Sequence, residues 1–248
     1  MIQTSPAFNC TACGQCCRNL KLPLGLTEAI DWLHRGDRVQ VICEAIPWVT
    51  ESSAASAMVA HKRSLSFAAM SGHLPVRVLV YFVAAFDGAC PNLGEHNLCE
   101  VYDNRPLTCR IYPAEVNPFV ATDPAQKACP PDAWQSVVPL MTDTMQKNVN
   151  HFRQRGQAEV PRKAWICEQL GIHLSAISNQ GYAIHMPEPA LLLRALLASS
   201  DADLKLTNGS WTLITHVAEN VQTLQAMGSL CTHATSVGIG DVQYVSFV

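Results

Sequence analysis

The sequence predicts an α+β protein, rich in helices, whose N-terminal half is organised around bound metal. Three observations lead to this prediction. Helical periodicity and short strand-like apolar runs alternate along the chain. Eight of the eleven cysteines are clustered by spacing within the first 129 residues, and residues 90–131 carry seven prolines, which leave room for only short helices and irregular loops.

Length and charge exclude several classes of protein. At about 150 residues per domain, 248 residues correspond to one or two domains. Hydrophobic residues make up 48% of the chain, so there is enough apolar material for a core. The net charge is −3 and the chain has no basic block, which argues against a nucleic-acid partner.

The role expected of the cysteines depends on whether the compartment is oxidising or reducing. The N-terminus has neither the basic region nor the apolar region of a secretory signal, so we expect a cytoplasmic protein. The longest apolar run, residues 76–86, contains Arg77 and falls short of the roughly 20 residues that span a bilayer, so we expect no membrane partner. In the cytoplasm thiols stay reduced, and clustered cysteines more often bind metal.

The first elements follow the N-terminal cysteines. A helix is predicted from a cap at Thr27 to the vicinity of Gly36, followed by a short strand at residues 39–43. Residues 51–75 are rich in Ala, Ser and Met, and their pattern leaves open a helix or a mobile flap. Residues 76–86 predict a buried strand, because they are rich in Val, Phe and Tyr.

Helical patterns dominate the middle of the chain. Apolar residues spaced three and four apart predict a helix over residues 132–156, which Pro139 should kink. A second amphipathic helix is predicted over residues 161–170, with its proline at the start. Residues 190–198 are apolar on all sides except Arg194, which predicts a helix that is buried or meets a partner.

The C-terminal elements are predicted from turn signals. Alternating apolar residues on both sides of Asn208-Gly209 predict a β-hairpin over residues 204–214. A helix follows over residues 217–227, and Gly228 should end it. Residues 242–248 predict a last strand.

The domain prediction follows from the contrast between the cysteine- and proline-rich first half of the chain and the helical second half. Residues 1–134 are predicted to form a cysteine-cluster metal-binding domain. Residues 135–248 are predicted to form a region of helices and a β-hairpin, and the two regions can also pack as one unit. We expect the second region to fold by apolar burial alone, whereas the proline-rich first region needs metal for its folding free energy.

Eight cysteines are the predicted metal ligands, because a polar segment with four cysteines in eight residues is not core filling. The C-x₂-C step lets two thiolates of one tight turn converge on one ion, and Gly14 tolerates the left-handed backbone such a turn needs. Eight thiolates would complete two four-cysteine zinc sites, while an iron–sulfur cluster also takes four, so both chemistries stay open. The eight are Cys10, Cys13, Cys16, Cys17, Cys90, Cys99, Cys109 and Cys129.

The other three cysteines have a simpler explanation. Cys43, Cys167 and Cys231 are isolated among apolar residues and are predicted to be core thiols.

Two motifs carry a resemblance to a known family. Cys10-x-x-Cys13-Gly14-x-Cys16-Cys17 is followed by Cys90-Pro91 and by the run Cys99 to Pro113, which contains Arg105-Pro106 and Cys109-Arg110. Over residues 8 to 130 the chain resembles the CxxCxxCC family, also called the YkgJ-type cysteine-cluster family, described as a zinc- or iron-chelating domain. The resemblance implies that these cysteines bind metal.

Two classes of function are compatible with that resemblance. The first is a metal-binding protein for metal handling, electron transfer or scaffolding, which holds a 4Fe-4S iron–sulfur cluster or zinc and iron ions. The second is a cluster-dependent enzyme with a protein substrate or a redox partner. A related cysteine cluster occurs in flagellin lysine N-methylases, where it implies an iron–sulfur cluster and methyl transfer to lysine. No catalytic residue is assigned, because the chain has no recognisable nucleophile motif.

Three arginines stand beside the predicted ligands. Arg18, Arg105 and Arg110 could offset the negative charge of a thiolate site through N–H···S contacts, and they are therefore predicted to contact the cofactor. The alternative is that Arg105 and Arg110 form salt bridges or bind loop carbonyls.

Overall fold

A computed structural model describes residues 6–48, 57–204, 209–234 and 241–247, and it confirms the α+β class. Within these residues the helices are α1 (Leu26–His34), α2 (Ala57–Ser64), α3 (Leu107–Ile111), α4 (Asp143–Ala158), α5 (Val160–Gln169), α6 (Pro189–Ala198) and α7 (Ala218–Ala226). The strands are β1 (Leu22–Leu24), β2 (Arg38–Pro47), β3 (Phe67–Ser71), β4 (Leu74–Ala85), β5 (Leu174–Ile177), β6 (Gly181–His185), β7 (Thr212–Thr215), β8 (Cys231–His233) and β9 (Val242–Ser246).

The chain divides into two compact units that alternate along the sequence. The cysteine unit consists of Met1–Gly25 and Ala85–Gly156, and the sheet unit consists of Leu26–Ala84 and Gln157–Val248. All eight predicted metal ligands fall in the cysteine unit. The predicted boundary between residues 134 and 135 stays a prediction about domains, because a compact unit need not fold independently.

The sheet unit is built on one mixed sheet. Strands β2, β5, β7 and β8 are neighbours in that order and run parallel. Strand β4 lies on the other side of β2 and pairs with β3 in an antiparallel ladder, while β6 pairs antiparallel with both β2 and β9. Helices α6 and α7 lie in the connections between parallel strands, because parallel neighbours can be joined only by a long connection.

Most of the predicted elements of the sheet unit are confirmed. Helix α1 buries Ala29, Trp32 and Leu33 on one face and ends before Gly36, whose φ of 85° is left-handed. The strands predicted at residues 39–43 and 76–86 are the longer β2 and β4. The predicted helices and the last strand near the C-terminus correspond to α5, α6, α7 and β9.

The undecided segment is only partly described. Within residues 51–75, the described part contains α2, strand β3 and the start of β4. Residues 51–56 lie outside the described residues.

The helix predicted over residues 132–156 is wrong in its first half. A short 3₁₀ turn covers Pro131–Trp134, and the α-helix begins only at Asp143. Between them the chain pairs with the N-terminal segment: Phe8 N–H donates to the Val138 carbonyl at 2.9 Å. Pro139 sits in this extended stretch, opposite Ala7, so it kinks no helix. In this stretch the backbone N–H and C=O groups form hydrogen bonds with a distant segment. They are therefore not available for the helix that the apolar periodicity predicts.

The β-hairpin predicted over residues 204–214 is wrong in its pairing. Residues Thr212–Thr215 do form a strand, but its two neighbours, β5 and β8, are both parallel to it. Residues 205–208 of the predicted turn lie outside the described residues. The alternating pattern therefore identified the strand and missed its partners.

The cysteine unit has a small apolar core of its own. The proline-rich segment contributes Leu107, Ile111 and Ala114, and they cluster with Leu140 and Val149. Partly buried side chains, including Phe8 and Trp134, pack against this cluster. The proline-rich segment thus gains some of its order from apolar burial and does not depend on metal alone.

The longest described helix is α4, with 16 residues. It is polar on most of its surface, and Val149 is its buried residue. Across the described ranges, we found no helix with both the length and the apolar character to cross a membrane.

The turn between β3 and β4 allows a test of the fold. Gly72 has a φ of 57°, and a Cβ there would overlap the carbonyl oxygen of Gly228, which accepts a hydrogen bond from His73 N–H at 2.8 Å. We expect Gly72→Ala to lower the free energy of unfolding by about 3 kcal/mol, because it adds a backbone overlap to an unfavourable φ. Urea denaturation of the full chain measures the loss.

The matched control is Gly36→Ala, since Gly36 has a similarly positive φ of 85° and open space within 4 Å of its Cβ position. It should lose only about 1 kcal/mol, the cost of the left-handed backbone alone. Equal losses in the two variants would contradict the close packing of Gly72.

Candidate metal centre

The N-terminal cysteines surround one tight turn. A short 3₁₀ helix covers Gln15–Cys17, and Cys17 N–H donates to the Gly14 carbonyl at 3.0 Å. Gly14 has the left-handed φ of 71° that the sequence predicted for it. The Asn97 side chain packs so closely on Gly14 that a Cβ there would approach it to 2.8 Å. The turn therefore needs glycine for both its conformation and its packing.

The chain before this turn is fixed against the end of the proline-rich segment. Asn9 N–H donates to the Ala133 carbonyl at 2.8 Å, and the Phe8 and Trp134 rings lie 4.9 Å apart. Ala133 N–H in turn donates to the Pro130 carbonyl at 3.1 Å. These contacts bring the start of the cysteine turn to the segment that carries Cys129.

The chain after this turn is fixed against a different segment. Cys90 N–H donates to the Cys17 carbonyl at 2.7 Å, and Asn19 N–H donates to the Gly88 carbonyl at 3.0 Å. Between these bonds Arg18 and Ala89 form an antiparallel bridge. This short ladder places the main chain of Cys17 next to that of Cys90.

A small loop brings Cys99 close to Cys90. Leu93 N–H donates to the Cys90 carbonyl at 2.9 Å, and Leu93 forms an antiparallel bridge with Cys99. Gly94 N–H closes the loop by donating to the Leu98 carbonyl at 2.8 Å. Cys90 and Cys99 are therefore held by one compact main-chain arrangement.

Cys109 is presented by helix α3. Its N–H donates to the Pro106 carbonyl at 2.9 Å, in the first turn of the helix. Leu107 and Ile111 of the same helix are buried in the apolar core of the cysteine unit, and this burial fixes the orientation of the helix. The Cys109 side chain lies on a different face and is only partly exposed.

One cavity, of about 230 Å³, brings most of the predicted ligands together. Seven of the eight line it, and Cys90 is not among the lining residues. The cavity is also lined by Tyr102, Arg105, Arg110 and Tyr112. In the described part of the chain, no group of three or more His, Cys, Asp or Glu side chains converges closely enough to hold a metal ion. The thiols thus surround the cavity without meeting at one point.

Exposure separates the cysteines into the two predicted groups. Cys10 and Cys16 are exposed, and the other six predicted ligands are partly exposed. Cys43, Cys167 and Cys231 are buried in the sheet unit, as predicted for core thiols. All eleven cysteines belong to the described residues, and none forms a disulfide.

The adjacent thiols of Cys16 and Cys17 are in contact, with their Sγ atoms 3.9 Å apart. A hydrogen bond from Cys17 lowers the pKa of Cys16. The same contact, followed by burial, raises the pKa of Cys17 well above its ordinary value, and the positive charges of Arg105 and Arg18 oppose this rise. The pair therefore readily holds one negative charge and resists a second.

Two further thiols resist ionisation. Burial raises the pKa of Cys109 to about 12, and the neighbouring thiols of Cys17 and Cys90 add to the rise. Burial also raises the pKa of Cys129, with a contribution from Cys13. A bound cation would reverse these effects, because its charge favours the thiolates that surround it.

The arginines are held by loop carbonyls. Arg105 Nε donates to the Tyr102 carbonyl at 2.9 Å, and its guanidinium carbon lies 3.7 Å from the centre of the Tyr102 ring. Arg110 Nε donates to the Arg105 carbonyl at 2.8 Å. Arg18 Nη2 donates to Asn97 Oδ1 at 3.3 Å. The contact of these three arginines with a cofactor stays a prediction, while Arg105 and Arg110 do line the cavity.

Sequence reasoning missed the contacts of three side chains near the thiols. Asn97 packs on Gly14 and accepts from Arg18, and the positive charge of Lys127 opposes the rise in the pKa of Cys129 that burial causes. The Tyr112 hydroxyl bonds to Cys129 and accepts from Ala128 N–H at 2.8 Å. Lys127 and Tyr112 could have been noted from their positions next to predicted ligands, but no pattern in the sequence identifies Asn97.

The comparison with known families agrees with this site. Residues 9–130 match the model of the CxxCxxCC family, described as "Putative zinc- or iron-chelating domain". The match begins just before Cys10 and ends just after Cys129, so it contains all eight predicted ligands. No curated protein and no solved structure matches the chain. Over residues 9–130, just under half of its length, the chain matches the CxxCxxCC family, and the description of that family supports metal binding by this region.

Proposed function

We propose that the chain is a metal-binding protein whose eight N-terminal cysteines hold zinc or iron, the iron as ions or in an iron–sulfur cluster. One observation carries the proposal: seven of these eight cysteines, from four separate segments of the sequence, line a single cavity. Thiolates are the soft ligands that select zinc and iron–sulfur clusters in proteins. The donor set therefore fits both groups.

The charges around the cavity support the proposal. A metal with four thiolates carries a net negative charge, which neighbouring cations stabilise. Arg105 is a positive neighbour of Cys17 and Cys109, and Lys127 is a positive neighbour of Cys129. Arg105 thus lies in the lining of the cavity, and Lys127, which also pairs with Glu115, lies beside Cys129.

Metal binding would also add to the stability of the cysteine unit. Its apolar core is small, and five buried residues form the cluster to which the proline-rich segment contributes. Free energy of metal binding becomes free energy of folding when the ligands are brought together only in the folded state. Here the ligands come from segments more than a hundred residues apart, Cys10 and Cys129 being the ends of the set.

The binding role covers metal handling, electron transfer and scaffolding. It needs only the cysteines and the charged side chains beside them. A methyl-transfer or redox enzyme would need a substrate site in addition, and among the described residues no observation favours one. We therefore prefer the binding role.

Removal of the metal should destabilise the chain. With free metal at about 1,000 times its Kd, binding adds about 4 kcal/mol of stability, which corresponds to a Tm about 10 °C higher for a chain of this size. Chelation of the purified chain, with metal loss confirmed by elemental analysis, should lower the Tm by this order. Differential scanning calorimetry measures the shift, and an unchanged Tm after complete metal loss would contradict the stabilising role.

Cys13→Ser should reproduce the effect of the chelator. It removes one thiol from the cavity, so the variant should bind less metal and its Tm should change less on chelation than that of the wild type. Cys231→Ser is the matched control, since Cys231 is buried in strand β8 of the sheet unit and should leave the metal content unchanged.

The identity of the metal can be read from anaerobically purified protein. Equal amounts of iron and acid-labile sulfide, with a broad visible absorption, would establish an iron–sulfur cluster. A colourless protein with about two zinc ions per chain would establish closed four-cysteine sites and make an electron-transfer role untenable. A chain that binds neither zinc nor iron would refute the proposed function.

A further inference from the structure

We propose that the eight cysteines form two neighbouring sets of four, each of which binds its own metal centre, and that the boundary between the sets runs between Cys16 and Cys17. The first set consists of Cys10, Cys13, Cys16 and Cys129. The second set consists of Cys17, Cys90, Cys99 and Cys109. This division rests on the proposed function and adds to it which thiols act together.

The first set is defined by the contacts of the chain before the cysteine turn. The bond from Asn9 N–H to the Ala133 carbonyl places this chain beside the segment of Cys129. The thiols of Cys10 and Cys13 are the electrostatic neighbours of Cys129. The charges of Cys129, Cys10 and Cys109 act on Cys16 in that order of strength, so its two strongest thiol neighbours apart from Cys17 belong to this set. All four members of this set line the cavity.

The second set is defined by the contacts of the chain after the turn. The bond from Cys90 N–H to the Cys17 carbonyl joins these two residues directly, at 2.7 Å. The bridge between Leu93 and Cys99 brings the third member to the same place. The fourth member, Cys109, has Cys17, Cys90 and Cys99 as thiol neighbours. Each member is thus linked to at least one other member of the set.

The chain changes partners between Asn9 and Cys17, and the thiol neighbours of Cys16 and Cys17 place the boundary between these two residues. Residues up to Asn9 bond to the segment near Ala133, whereas Cys17 and Asn19 bond to the segment of residues 88–90. The Sγ atoms of Cys16 and Cys17 are 3.9 Å apart, so the two centres would be close neighbours.

The two sets also differ in the cations beside them. Arg18 and Arg105 are the positive neighbours of Cys17, in the second set. Lys127 is a positive neighbour of Cys129, in the first set. Each set thus has a neighbouring cation that can offset thiolate charge around a metal, although Lys127 also pairs with the carboxylate of Glu115.

The division can be tested with pairs of variants that remove the same number of thiols. The full chain, reduced and free of oxygen, is loaded with Zn²⁺ alone, and the bound zinc is counted by native mass spectrometry. The wild type should bind about two zinc ions, one for each four-thiol set. Cys10→Ser/Cys13→Ser removes two ligands of one set and should keep about one zinc ion. Cys13→Ser/Cys99→Ser removes one ligand of each set and should keep none, while Cys231→Ser should keep both.

Four results would overturn the division. If the two double variants bind equal amounts of zinc, the thiols do not act as these two sets. If loss of Cys13 alone removes all the zinc, the cysteines form one shared centre. If the wild type binds zinc and the within-set variant binds none, the division fails while the proposed function stands. A wild type that binds neither zinc nor iron overturns both.

A second measurement needs no variant and so does not depend on how well a variant folds. The wild type is given less zinc than it can bind and is then alkylated with N-ethylmaleimide in its native state. Molecules with one zinc ion should protect four thiols of the same set, which peptide mapping identifies. Protected groups that mix members of the two sets, or eight thiols that become protected together with no intermediate, would contradict the division.

Discussion

The structure of the cysteine unit depends on main-chain hydrogen bonds that hold the thiols close together, where ionisation of the thiols is unfavourable. Hydrogen bonds such as those from Asn9 to Ala133 and from Cys90 to Cys17 gather eight thiols from distant segments. Once gathered, buried thiols resist ionisation: burial raises the pKa of Cys109, and the neighbouring thiols of Cys17 and Cys90 add to the rise. A cation removes this resistance, since its charge favours the thiolates. The main chain therefore fixes the arrangement, and the chemistry that satisfies it is metal binding.

The cysteines were the part of the site that the sequence could predict. A thiol in a polar segment has few uses other than metal binding, so the residue type and the short spacings were enough to select the eight candidates. The backbone of Gly14 was predicted for the same reason, since a knuckle between nearby ligands needs a left-handed residue. The neighbours that act across space, Asn97 and Lys127, have no such signature. Their roles follow from contacts between segments that the sequence does not show to be adjacent.

The fold shows the same limit. Elements that are stabilised by their own periodic pattern, such as α1 and β4, were predicted correctly. The two errors lie where a distant partner decides the structure. Residues around Pro139 are extended because the N-terminal segment pairs with them, and Thr212–Thr215 lies between two parallel strands although its alternation resembles a hairpin arm. Local pattern identifies a strand, but parallel pairing requires a crossover that only the assembled sheet defines.

The arginines show how a loop contact can serve the site. Arg105 donates a hydrogen bond to the carbonyl of Tyr102, and Arg110 donates to the carbonyls of Asp103 and Arg105. These bonds hold the loop that carries Cys109. The positive charge of Arg105 lies beside Cys17 and Cys109, and both arginines line the same cavity. Because the loop already fixes the guanidinium groups, no reorganisation is needed when thiolates form around a metal. Bracing the loop and offsetting the charge of the site are therefore two consequences of one arrangement.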